Sequence, residues 1–448
     1  MKRILIFSLT ASLICFAGLS QQFDKVKLDA YIDTLANHNK FMGSFAVSQN
    51  KELIYTKSVG FADVEQGIKA NDSSKYRIAS ISKTFTTVLI FKAIEDNKLD
   101  LGQTIDNFFP VINNANKITI ANMLCHRSGL TDYFKFLDTR QPKTEHEMIE
   151  IISKAEIDFE PDTQTSYSNT NFILLTYILE KIYEKPYATI LNEKIINPLG
   201  LKNTYLGKGI NTKNNECNPY TYWRGSWHKV REHDSSILLG TGGIVSTPID
   251  LLQFSEALFS GQLISPNSLK QMKTISTDRC ETFGLHFGMG LIEMDGAYGH
   301  FGGLVGFSSV FFNFPDENIT FAFTVNGDNL NFFEIFIYMV AIIFNKSVEI
   351  PKYEYQTYQP FIVVTDEELD KYLGVYSTEQ IPQKCTITKD NGKLLFQTTG
   401  EPLLLYATEK DTFEYMSEGL TGIIKFNPNE KTMVINQRGV VFSFVRED

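Results

Sequence analysis

Ser80-Ile81-Ser82-Lys83 opens a segment in which Phe85, Val88, Leu89 and Ile94 recur at helical spacing as far as Asn97. The segment reads as a helix over 80–97 with a serine and a lysine one turn apart at its start. Residues i and i+3 share a helix face, which brings the Lys83 ammonium within hydrogen-bonding reach of the Ser80 hydroxyl. A serine hydroxyl is a poor nucleophile until a base takes its proton, and a lysine desolvated in a cleft has its pKa lowered toward that task. The start of a helix adds backbone N–H groups and positive partial charge where negative charge develops. In isolation, however, the same tetrapeptide is usually an N-cap serine followed by a solvated lysine. Ser82 is an alternative cap that would leave Ser80 merely polar.

Two further segments supply candidate partners. Tyr167-Ser168-Asn169, preceded by Pro161-Asp162 and followed by Thr170-Asn171, heads an apolar segment read as a helix over 168–184. A tyrosine near a lysine can shuttle a proton, and an asparagine amide both donates and accepts. Gly299-His300-Phe301-Gly302-Gly303 pairs glycines, which let a backbone approach a ligand closely, with a titratable imidazole. Taken singly, the first is an ordinary loop before a helix and the second a glycine-rich turn.

Outward from these motifs, 43–60 reads as two strands about a turn at Asn50-Lys51, with helices over 119–125 and 248–259. Strands follow from Phe283 through Asn326. The apolar run Ile335 to Phe344 is ten residues long beside Glu334, a buried helix rather than a membrane span. Strands at both ends with helices between them predict an α/β fold of the α+β kind: an antiparallel sheet flanked by helices plus an all-helical region. Pro351 to Pro360 reads as a linker. The short β-rich runs beyond it, with Asp390-Asn391-Gly392 as a turn, predict a small all-β sandwich or barrel.

The chain has 448 residues, 43% hydrophobic, 13% aromatic and 21% charged, so it can bury a large core and is neither disordered nor collagen-like. With 42 Lys and Arg against 52 Asp and Glu the net charge is −10, and no long basic run stands ready for phosphate, which disfavours nucleic acid. Cys15, Cys125, Cys217, Cys280 and Cys385 show no metal-ligand or redox spacing, so free buried thiols and no metal are expected. Met1-Lys2-Arg3, the apolar stretch Ile4 to Phe16 and Ala17-Gly18-Leu19-Ser20 read as a signal peptide over 1–20. The expected location is periplasmic or secreted, with no span in the mature chain. Lipoprotein anchoring through Cys15 is disfavoured because Ile14 stands where a small residue is wanted.

In combination and in this order, the three motifs resemble the serine β-lactamase and penicillin-binding-protein superfamily, in particular its class C-like branch of esterases, D-alanyl-D-alanine carboxypeptidases and D-amino-acid peptidases. The branch carries Ser-x-x-Lys, Tyr-x-Asn and Lys/His-x-Gly, here 87 and 133 residues apart. Tyr76-Arg77-Ile78-Ala79, Leu124 to Leu130, Pro198-Leu199-Gly200-Leu201 and Gly242 to Thr247 strengthen the match, which covers about 30–345. The resemblance implies Ser80 as nucleophile, Lys83 and Tyr167 sharing the proton transfers, and the backbone N–H groups of Ser80 and Gly303 as oxyanion hole. It makes Asn169, His300 and Gly302 substrate-binding, with no cofactor. Phe301 departs from the Thr or Ser often found there, which weakens carboxylate recognition and favours an ester or apolar amide.

Leu369 to Tyr376 and the strands after it resemble the lipocalin-like β domain often appended to such hydrolases. The expected organisation is a signal peptide over 1–20, a hydrolase domain over 21–350, a linker over 351–361 and a β-barrel over 362–448. The expected activity is that of an exported serine hydrolase on an ester, a D-amino-acid peptide or, weakly, a β-lactam; the alternative is a non-catalytic relative that binds cell-wall peptide or a protein partner. Oligomeric state is left open. Several other features read as structural: Cys125-His126, whose adjacent side chains diverge; the acidic run Asp366-Glu367-Glu368; and His228 and His233, read as surface or cleft rim. Tyr220-Thr221-Tyr222-Trp223 is a candidate cleft wall or a packing element.

Overall fold

The structure, a computed structural model, describes residues 23–274, 285–355, 357–381, 384–398, 402–417, 420–437 and 440–447. The expected signal peptide, Cys15 and Cys280 lie outside them. The central element is a seven-stranded antiparallel sheet in the order His286–Phe287, Ile292–Met294, Ala297–Leu304, Phe307–Phe314, Ile319–Asp328, Phe41–Gln49 and Glu52–Val59. The N-terminal hairpin thus completes a sheet whose other strands come from residues 286–328, as the two separated strand clusters predict. Asn50 and Lys51 both adopt positive φ (52° and 66°), the geometry that closes a two-residue hairpin with the right twist.

Alternation along these strands feeds two cores. Phe45, Phe323 and Val310, aligned across three strands, face the layer formed by the helices Lys25–Asn37 and Phe332–Ile343. Their neighbours Ala46, Ala322 and Phe311 face the helical region, where Pro248–Phe259 packs on the sheet. The small alanines let that helix approach, and its own Phe254 stacks on Phe85 at 3.7 Å between centroids. Phe85 lies on the helix Ser82–Glu95, which is buried on nearly every side, as is its neighbour Asn169–Tyr183. Helices buried on nearly every side lie in the middle of a domain, and these two carry the site at their N-terminal ends.

A third, separate core fills a nine-stranded antiparallel sheet between Gly374 and Arg446 that curls into a nearly closed barrel, Leu403–Leu404 approaching Thr412–Ser417. Tyr372, Phe413 and Phe426 pack ring against ring inside it. The stretch before it packs back on the N-terminal part of the chain, with Tyr355 stacked on His38 at 4.9 Å. Among the described residues no helix is long and apolar enough to cross a membrane.

Tyr220–Trp223 does not wall the cleft. It forms a hairpin with Ser226–Lys229 that docks on the barrel, Trp223 lying 5.8 Å from Phe361 and 5.3 Å from Tyr406 between ring centroids. Arg224 at its tip pairs with Glu414 at 3.0 Å, donates to Gln359 O and lies over the Phe361 ring. This ion pair is largely shielded from water, and removing one partner strands the other. Arg224→Ala is therefore expected to uncouple the barrel, splitting a single calorimetric unfolding transition into two; one transition at an unchanged Tm would contradict this.

Candidate active site

Ser80 sits on a 3₁₀ turn, Ala79–Ile81, just ahead of the helix Ser82–Glu95 rather than within it. The helix starts late because Ala79 adopts a left-handed conformation (φ 47°), which a residue with a Cβ adopts only under constraint. The constraint is visible on both sides. Ile78 donates its N–H to Ile244 O at 3.0 Å and accepts from Ser309 Oγ at 2.7 Å. Gly302 lies flush against the turn, where an added Cβ would stand 2.3 Å from Ile78 O and 2.2 Å from Ser309 Oγ. At the adjacent Gly303 a Cβ would meet nothing within 4 Å, since that position faces open space. Ser82 is not a cap; it is buried and its Oγ accepts the Ile244 N–H at 3.1 Å.

Lys83 is fully buried, with Nζ 3.1 Å from Ser80 Oγ, 2.8 Å from Asn169 Oδ1 and 2.8 Å from Thr241 O. The last two oxygens can only accept, so they take two N–H bonds and leave the third tetrahedral position of Nζ toward Ser80. Burial lowers the Lys83 pKa to about 7, against the opposing pull of Asp132. Near neutral pH that third position is a lone pair in a substantial fraction of molecules. Asn169 is itself oriented, because its Nδ2 donates to Asp132 Oδ2 at 2.8 Å and so turns Oδ1 to the lysine. Asp132 accepts in turn from the Phe134 N–H at 3.1 Å.

The Tyr167 ring lies against the same amine, its centroid 5.0 Å from Nζ. Ser80, Tyr167, Asn169, His300, Gly302 and Gly303 all line one cavity of about 420 Å³, and the buried Lys83 amine lies behind that lining, 3.1 Å from Ser80 Oγ. His300 is buried and donates from Nδ1 to Phe301 O at 2.6 Å, so its Nε2 carries a lone pair and has no partner among the described residues. Burial pushes its pKa down to about 3, which makes it a neutral acceptor. The remaining walls are largely apolar: Phe134, Leu238, Phe287, Phe301, Phe332 and Phe333. His233 lines the cavity and is bonded to Thr139 Oγ1 at 2.7 Å, whereas His228 belongs to the docking hairpin.

The sequence reading named every one of the six cavity residues above but missed Asp132, Thr241, His126 as a neighbour of Tyr167, and the aromatic pair Phe332 and Phe333. Thr241 contributes a backbone carbonyl, which leaves no trace in side-chain identity. Cys125, Cys217 and Cys385 are free thiols, and no cluster that could hold a metal occurs among the described residues.

The protein-family model described as Beta-lactamase matches residues 28–341. Penicillin-binding protein 4* of Bacillus subtilis (strain 168) is 23% identical over 405 residues, covering 85% of this chain and 89% of its own. Teichoic acid D-alanine hydrolase of Staphylococcus aureus is 25% identical over 240 residues, 54% of this chain and 59% of its own. Among solved structures, a D-stereospecific amidohydrolase from Streptomyces sp. superimposes with a TM-score of 0.60 at 24% identity, over 68% of this chain and 95% of that one.

Proposed function

The chain belongs to the beta-lactamase family and is a serine hydrolase, and from that premise we propose that it forms an acyl-enzyme through Ser80 on a neutral ester or apolar amide. The observation that carries the reading is the Lys83 amine, buried, with its pKa near 7 and its one uncommitted position 3.1 Å from Ser80 Oγ. In this mechanism Ser80 Oγ bonds to the substrate carbonyl carbon as its proton passes to Lys83. The oxyanion is held by the Ser80 and Gly303 N–H groups, contributing several kcal/mol of transition-state stabilisation. Tyr167 and Lys83 return the proton to the leaving group, and water then releases the acyl group by the same route in reverse. Asn169 keeps Lys83 in register and offers its remaining N–H to the acyl side of the substrate.

The neutral His300 and the hydrocarbon of Phe301 offer no cation and no hydroxyl to a substrate carboxylate. Esters of apolar acids, or amides of the kind suggested by the likeness to a D-stereospecific amidohydrolase, suit such walls better than D-Ala-D-Ala peptides or β-lactams. The chain is proposed to act after export, in the periplasm or outside the cell. A panel of p-nitrophenyl esters, D-amino-acid amides, D-Ala-D-Ala peptides and nitrocefin tests the ranking. Neutral esters are expected to have the highest kcat/KM; turnover of nitrocefin alone would reverse it, and turnover of none would favour the binding-only alternative.

The pH profile follows from the lysine. Only the neutral amine accepts the serine proton, so kcat/KM for a neutral ester is expected to fall as pH drops through about 7. Well below that point the fall is about tenfold per pH unit. A flat profile from about pH 8 down to about pH 5 would exclude Lys83 as the base.

A further inference from the structure

His126 ends the short helix Ile120–Leu124 in a left-handed conformation, φ 57°. That turn aims both its carbonyl and its ring at the segment carrying Tyr167. The carbonyl accepts from the Ser166 N–H at 3.0 Å, and Nδ1 accepts from the Ser168 N–H at 3.2 Å. Between these two anchors the imidazole stacks on the Tyr167 ring, 4.3 Å between centroids at 29°. One residue therefore holds the backbone on both sides of Tyr167 and the face of its side chain. Because Nδ1 accepts from a backbone N–H, the ring proton is on Nε2.

His126 is itself immobilised. Asn171 Nδ2 approaches its Nδ1 at 3.3 Å, while Asn171 Oδ1 accepts from Ser128 Oγ at 2.5 Å. Phe172 and Phe287 close round the imidazole, each 5.3 Å away between centroids. Neither phenylalanine nor asparagine reproduces both functions at this position: the first offers the ring without the acceptor, the second the acceptor without the ring. Tyr167 lines the 420 Å³ cavity, and a displacement of about 1 Å at a reacting group costs on the order of 10²-fold in rate.

We propose that His126 is a positioning residue that holds the Tyr167 hydroxyl in place for proton delivery to the leaving group, an inference that rests on the reading of Tyr167 as proton donor. The test uses two esters of one acid, p-nitrophenyl and ethyl. The first leaving group departs without protonation and the second does not. Tyr167→Phe is expected to lose far more on the ethyl ester than on the p-nitrophenyl ester. His126→Phe and His126→Asn should show the same pattern, about 10²-fold on the ethyl ester against about 5-fold on the other, mainly in kcat. Asparagine also tolerates the left-handed backbone, so at least this variant should fold and keep the test open. Added to Tyr167→Phe, either change should cost little more, because both act through one hydroxyl.

An equal loss on both esters, or a loss that multiplies with that of Tyr167→Phe, would reduce His126 to a structural residue and leave the role of Tyr167 intact. A Tyr167→Phe variant indifferent to the leaving group would overturn both readings.

Discussion

Ser80→Ala is expected to lower kcat/KM by about 10⁴-fold or more while leaving the fold unchanged, because the nucleophile and its base act as a unit and the loss of either removes most of the rate. The prediction is strong because the surroundings of Ser80 are built for that atom. Ala79 is held in a left-handed conformation, Gly302 presses on the turn, and Lys83 has committed every position but the one facing Oγ. None of this depends on the hydroxyl, so circular dichroism and Tm should stay at wild-type values. Substantial turnover by Ser80→Ala, measured on the best ester of the panel, would contradict the account.

Lys83→Met is expected to cost about 10³-fold, within the range of general-base contributions, even on an ester whose leaving group departs without protonation. Methionine fills the same buried volume but offers no lone pair. The variant should also lose the acid limb near pH 7, since the group that titrates there is gone. Its residual rate would then be flat with pH. A Lys83→Met enzyme that keeps the same acid limb would assign that limb to another group.

Much of this was legible in the sequence because the chemistry sits in short local motifs. Ser80 and Lys83 are three residues apart, Tyr167 and Asn169 two, and His300 to Gly303 contiguous, so each motif carried its own geometry. The expected sheet followed from strand clusters at both ends of the hydrolase region, and the barrel from evenly spaced β-rich runs. What stayed hidden depended on contacts between distant segments. The late start of the helix at Ser82 is imposed by Gly302 and Ser309, more than two hundred residues downstream, and helical periodicity carries no sign of it. Asp132 orients Asn169 from an unrelated loop.

Tyr220–Trp223 shows the same limit from the other side. An aromatic run beside charged residues suits a cleft wall and a docking edge equally well, and only the position of Phe361 and Tyr406 decides between them. Sequence adjacency to Cys125 says nothing useful about His126, since neighbouring side chains diverge. Its relation to Tyr167 arises from the left-handed turn at φ 57°, which sequence spacing does not encode.

The most direct test of the central claim is covalent. A fluorophosphonate reacts with an activated serine without needing the natural substrate, so intact-mass spectrometry followed by peptide mapping reads the nucleophile itself. One adduct per chain, on the peptide containing Ser80 and absent in Ser80→Ala, is the predicted result. Absence of labelling, or an adduct that persists in Ser80→Ala, would contradict it.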